Sequence, residues 1–162
     1  MIFVTVGTMH LSFARLIRKM DEIAARTDER VVIQRGLTAT IPLHSEHFDF
    51  RPRTDIQSLI RESRLVVTHA GIGSVIDALN AKRPLIVVPR LRKFGEHNND
   101  HQLDLARAVE RRRWGRAVLD VDDLDQCCAE PGPPYGSYAP ARNDLIAAVR
   151  GAIRDLAPRP VR

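Results

Sequence analysis

A repeated rhythm limits what this chain of 162 residues can become: a short apolar, β-branched run, a glycine or proline, then apolar residues at helical spacing. Residues 2–6 form the first such run and end at Gly7; Phe13, Leu16, Ile17, Met20, Ile23 and Ala24 then predict an amphipathic helix over about 11–26. Residues 30–34 read as a second strand closing at Gly36. The ambiguous stretch 38–53 holds a third near 47–50, and 55–62 reads as a helix with Thr54 as its N-cap. Residues 65–68 are a strand buried on both faces, followed by a turn and a helix from about Ser74 to Ala81. Another strand, 85–88, is held between Pro84 and Pro89. A helix over about 97–113, a short strand at 116–119 and a helical turn or two at 122–127 complete the regular part. The segment 129–140, with four prolines and two glycines, reads as an irregular loop. A last helix is expected over 141–156 and a flexible tail over 157–162, so that 1–156 makes one domain.

Strands separated by helices imply an α/β fold: a Rossmann-like, mostly parallel sheet with right-handed crossovers and helices on both faces. Such sheets bind ligands at the carboxyl ends of their strands. Composition narrows the field. No apolar run approaches the ~20 residues that span a bilayer, the first residues lack the features of a signal peptide, and the two cysteines, Cys127 and Cys128, are adjacent. A soluble domain in a reducing, cytosolic compartment is the expectation. The net charge is +5, and among the basic residues only Lys19, Lys82 and Lys93 are lysines. Arginine suits bidentate recognition of phosphate, although a GC-rich genome produces the same bias. Aromatic residues make up only 5%, and no nucleic-acid-binding signature is present.

The polar residues that could carry chemistry follow the strands. Gly7-Thr8 succeeds the first, and His69-Ala70-Gly71-Ile72-Gly73-Ser74 the fourth. Glycine allows tight turns and close approach of a ligand to the backbone, and a helix N-terminus favours an anion; a purely structural turn is the alternative. Ser74 can cap the helix or donate to a phosphate. Asp77, one turn further on, can accept hydrogen bonds from ribose hydroxyls or simply complement the helix dipole. Beyond the fifth strand, Gly95-Glu96-His97-Asn98-Asn99-Asp100-His101-Gln102 offers the mixed donors and acceptors that sugar hydroxyls require, or else an exposed loop with Asn99 or Asp100 as a cap. Gly-Lys-Ser/Thr and the full Gly-x-Gly-x-x-Gly fingerprint are both missing, which weakens ATP and NAD readings. His97 and His101 are spaced i,i+4 and His44 and His47 form a second pair, but without His-Glu-x-x-His no metal site is expected. Ser74 lacks the nucleophile elbow.

The order Val4-Thr5-Val6-Gly7-Thr8, His69-Ala70-Gly71-Ile72-Gly73-Ser74, Asp77, Arg83-Pro84, Val88-Pro89 and Asn99-Asp100-His101-Gln102 resembles the C-terminal domain of glycosyltransferase family 28 over about residues 1–112. The likeness is to its single-domain form, the donor-binding subunits of the dolichol-linked UDP-GlcNAc transferase and of bacterial exopolysaccharide glycosyltransferases. The resemblance implies the C-terminal half of a GT-B fold and a two-component inverting transferase that moves sugar from a UDP-sugar to a polyprenyl-linked or other glycan acceptor. It places Gly7 and Thr8 at the diphosphate or the interdomain cleft, and His69, Gly71, Gly73 and Ser74 in the diphosphate turn. Asp77 stands where relatives commonly carry glutamate for the ribose. His101 and Gln102 match the pair that contacts the donor sugar, with Asn99 and Asp100 before them as further substrate-binding candidates, and Phe50 and Arg51 fall near uracil. It further implies no cofactor and no metal beyond the donor itself, and a membrane-anchored partner supplying the acceptor site and the base. The chain would then be cytoplasmic, peripheral at the inner membrane face through that partner. His10 is the candidate base within the chain. The rival readings are a non-catalytic nucleotide- or partner-binding module and a nucleotide-sugar-modifying enzyme such as an epimerase.

Overall fold

The computed structural model describes residues 1–132. Six strands form a sheet in the order β3-β2-β1-β4-β5-β6, with every neighbouring pair parallel. They are β1 (Ile2–Thr5), β2 (Val31–Gln34), β3 (Glu46–Phe48), β4 (Leu65–His69), β5 (Leu85–Val88) and β6 (Arg116–Ala117). The helices between and after them are α1 (Ala14–Ala24), α2 (Arg53–Glu62), α3 (Ile72–Asn80), α4 (His101–Arg111) and α5 (Leu124–Ala129). This is the doubly wound order, and the strand sequence reverses direction between β1 and β4.

The period of two along each strand divides the core into two layers. Ile2, Val4, Ile33, Val67 and Ile86 point to one face, where Leu16, Ile17 and Met20 of α1 and Leu124 of α5 cover them. Phe3, Val32, Val66 and Val87 point to the other, under Ile60 of α2, Val75 and Leu79 of α3 and Val109 of α4. Each such side chain, fully buried, contributes roughly 1.5–3 kcal/mol. Propensity differences of a few tenths of a kcal/mol are therefore overruled wherever the two conflict.

Several boundaries differ from expectation, at helix ends and at the sheet edge. Pro52, extended at φ −51° and ψ 147°, is the N-cap of α2. Thr54 lies inside that helix and donates its hydroxyl to the Asp55 carboxylate (3.1 Å) rather than capping. Helix α3 begins at Ile72 with Gly71 as its N-cap, so Ser74 is within the first turn. Residues 97–100 are a turn, not the opening of α4, because Asp100 accepts from the Arg92 amide (2.8 Å) and His97 Nδ1 from the Asn99 amide (3.2 Å). At one edge of the sheet β3 is three residues long, and at the other β6 is two. Of the expected loop 129–140, Ala129 closes α5. Residues 133–140, the expected helix 141–156 and the tail 157–162 lie outside the described residues. Among the described residues no helix is long and apolar enough to cross a membrane.

Candidate functional site

The reversal between β1 and β4 opens a crevice at the carboxyl edge of the sheet, where the turns after these two strands meet. Thr5 anchors the first turn from below. Its buried hydroxyl donates to Gln34 Oε1 and accepts from the Gly7 amide (3.2 Å). Gly7 has φ +74°, and a Cβ built there would sit 2.4 Å from Cε1 of His69. A Cβ on Gly71 would sit 2.0 Å from Nε2 of the same ring. The imidazole thus fills the space between the two glycines, so at these positions the missing side chain makes room for His69. Burial, and secondarily the Arg90 charge, push the His69 pKa down to about 4, so the ring is neutral at physiological pH.

Gly73 behaves differently: a Cβ there would meet nothing within 4 Å. No side chain caps the start of α3, leaving its first-turn amides to a ligand or to water. One turn along, Asp77 Oδ1 accepts from Arg53 Nη2 (3.1 Å) and Gln57 Nε2 (3.3 Å), which fastens α3 to α2. Phe50 is 47% exposed and reaches the Gly36 turn, which packs in turn against the Gly7 carbonyl. Arg51 lies over the ring of Phe48, with Cζ 4.3 Å from the centroid. The structure therefore brings Gly7, His69 and Gly71 into direct contact and lines Phe50, Gly36 and Gly7 along one wall. Thr8 and His10 stay exposed on the first turn.

The loop from β5 to α4 closes the other side. The His97 and His101 rings meet edge to face at 4.4 Å, and Asn99 Oδ1 bonds the backbone amide and Nδ1 of His101. Desolvation first, then the neighbouring charges of His101 and Arg90, hold the His97 pKa below its usual value. Asp100 is engaged by the Arg92 amide. Gln102 is buried, and its Oε1 accepts from the Arg90 amide (3.0 Å), so that oxygen serves the fold rather than a sugar in this structure.

Sequence reasoning missed the residue beneath all of this. Arg90, just past β5, is fully buried. Glu96 is buried too, and its carboxylate accepts from Arg15 Nε (2.8 Å), Arg15 Nη2 (3.1 Å) and the Leu91 amide (3.1 Å). The only local signal was a cation placed directly after a strand bracketed by prolines. Nothing in a linear pattern says that such a residue points inward.

A doubly wound sheet with two glycine turns and an uncapped helix meeting at its switch point defines a Rossmann-like α/β domain, and its architecture is the C-terminal half of a GT-B glycosyltransferase. The chain belongs to the glycosyltransferase family 28 C-terminal domain family, whose model matches residues 1–130. It is similar to the human UDP-N-acetylglucosamine transferase subunit ALG13, 31% identical over 121 residues, covering 68% of this chain and 10% of that protein. It thus spans a tenth of the length of that relative. Among solved structures, that of ALG13 determined by NMR gives a TM-score of 0.59 at 23% identity, covering 91% of this chain and 94% of that one. The calicheamicin glycosyltransferase CalG4 gives 0.61 at 19%, covering 96% of this chain and 38% of that one. At these identities the structural likenesses show the fold.

Proposed function

We propose that the chain is the donor-binding catalytic subunit of a two-component inverting hexosyltransferase. It would bind a UDP-sugar and pass the sugar to a polyprenyl-linked or other glycan acceptor in polysaccharide biosynthesis. The observation that carries this reading is the meeting of the Gly7 turn, the neutral His69 ring and the uncapped start of α3 at the switch point of the sheet. Unpaired amides and a helix dipole at one spot favour a diphosphate. Asp77 lies one turn deeper for the ribose, Phe50 and Arg51 stand at the rim for the base, and His97, Asn99 and His101 face the sugar side. Family membership, and the transferase-subunit name of the human relative, support the same reading.

In the reaction, an acceptor oxygen attacks the anomeric carbon as the bond from that carbon to the diphosphate breaks. The acceptor proton passes to a base, and UDP leaves carrying the electron pair. Preorganised amides stabilise the charge that builds on the leaving diphosphate, so neither a metal nor a cofactor is required. The base and the acceptor site belong to a membrane-anchored partner, with exposed His10 the candidate within this chain. The subunit works in the cytoplasm, held at the inner face of the membrane through that partner.

Calorimetry of the isolated chain should show UDP and a UDP-sugar binding, with roughly ten-fold loss on Asp77→Ala. Transfer should need the partner. A chain that binds no uridine nucleotide at saturation overturns the proposal.

A further inference from the structure

The β1–α1 and β5–α4 loops, which lie on either side of the β4–α3 turn in the strand order, are joined by one side chain. Arg90 Nη1 donates to the carbonyls of Leu11 (2.8 Å), Ser12 (3.3 Å) and Glu96 (3.2 Å), and Nη2 to that of Val6 (2.9 Å). Its Cζ lies 4.7 Å over the Phe13 ring, and its backbone amide holds Gln102 in the first turn of α4. Four carbonyls from two separate loops therefore converge on one planar cation. A guanidinium can serve such a set because its donors are fixed in a fork; an ammonium of similar reach has three donors leaving a single point.

The acid nearby does not divert this fork. The Glu96 carboxylate is taken up by Arg15 and by the Leu91 amide, and only its carbonyl receives Arg90. Arg15 Nη2 also donates to the Pro89 carbonyl (2.7 Å), which brings α1 to the same junction. Two guanidinium groups against one carboxylate leave a net positive charge under the crevice. Nε of Arg90 is buried without a hydrogen-bond partner among the described residues. A buried, incompletely satisfied cation costs folding free energy that a well-packed apolar residue would not. Stability alone does not account for its presence.

We infer that Arg90 is a positioning residue: it sets the separation of the Gly7 turn and the His97–His101 turn, so that the two loops grip one ligand, and it lays a positive charge beneath the anion. The inference rests on the reading of the crevice as a UDP-sugar site, but its structural half can be tested without ligand.

Arg90→Lys keeps the charge and removes the fork. By hydrogen exchange without ligand, this variant should lose protection together at the hydrogen-bonded amides of Gly7 and Phe13 in the first loop and of Glu96, Asn99 and His101 in the second, while the strands stay protected. Its melting temperature should fall by the lost hydrogen bonds but leave the protein folded at the assay temperature, where UDP should bind about ten-fold more weakly. A merely structural role would restore affinity along with the fold. Unchanged exchange in both loops, or wild-type UDP affinity in a folded Arg90→Lys protein, overturns the inference. If Arg90→Lys does not fold, the unaltered protein still decides: saturating UDP should protect 7–12 and 96–101 over the same concentration range. Protection confined to 71–74 would refute the coupling. Failure of UDP to bind the unaltered chain removes the proposed function, but leaves the ligand-free exchange result as evidence on the clamp.

Discussion

Gly7 and Gly73 both look like phosphate-turn glycines in the sequence, yet the structure assigns them different physical duties. At Gly7 any side chain meets a backbone of φ +74° and the His69 ring 2.4 Å away. Gly7→Ala should therefore cost about 1–3 kcal/mol in urea denaturation, whether or not a nucleotide is present. At Gly73 the backbone is helical and the space is open. Gly73→Ala should leave stability unchanged or raise it by up to about 1 kcal/mol, while weakening UDP binding in calorimetry, because the added methyl stands where a ligand would approach. Equal losses of stability in the two variants would contradict this division. The type and place of both glycines were legible in the sequence. Which one makes room for a neighbouring ring was not, since His69 lies 62 positions from Gly7 along the chain.

Helix α1 also governs a loop it does not adjoin. Asp21 accepts from the amides of Leu43 (2.8 Å), His44 (2.9 Å) and Ser45 (2.9 Å) and from the Ser45 hydroxyl (2.8 Å). Partial burial alone would raise its pKa, but these four bonds outweigh that effect and hold the carboxyl below its usual value. They also keep Leu43 presented to solvent at 83% exposure. Asp21→Ala should accelerate amide exchange at 43–45 and lower global stability by about 1–3 kcal/mol. Exchange at those three amides that does not change would show the Asp21 bonds to be unimportant. The helices themselves were readable from their 3.6-residue period, but their first residues were not. Thr54 and Ser74 carry good capping chemistry, and Pro52 and Gly71 took the cap positions instead, because chain direction at a helix entry is set by the preceding loop.

For the molecule as a whole, folding depends on pH in two windows, the upper led by His69 with His97 beside it and the lower by carboxylates of which Glu29 is held down furthest. His69 titrates near 6.5 when unfolded and at about 4 when folded. Between those values the unfolded state binds more protons, so stability falls as pH drops from about 6.5 to about 4. Glu29 is held down to about 2 by its hydrogen bond from Arg64 and, less strongly, by the terminal amino group. Its contribution is complete above about 4.5 and is lost as pH falls toward about 2. Urea midpoints measured against pH should therefore decline in two stages, with His69→Asn reducing the upper slope and Glu29→Gln the lower. An upper slope undiminished in His69→Asn would assign it to another group. The layered parallel architecture was determined by the sequence alone, because burial on both faces of a strand and on one face of a helix writes its period into neighbouring residues. So was the position of the polar turns, each following an apolar run. Only the tertiary structure decided which turns meet, and that Arg90 would be their buried clamp. Val6 and Arg90 lie 84 positions apart along the chain, and contacts over such separations depend on strand order, which leaves no periodic trace in either segment.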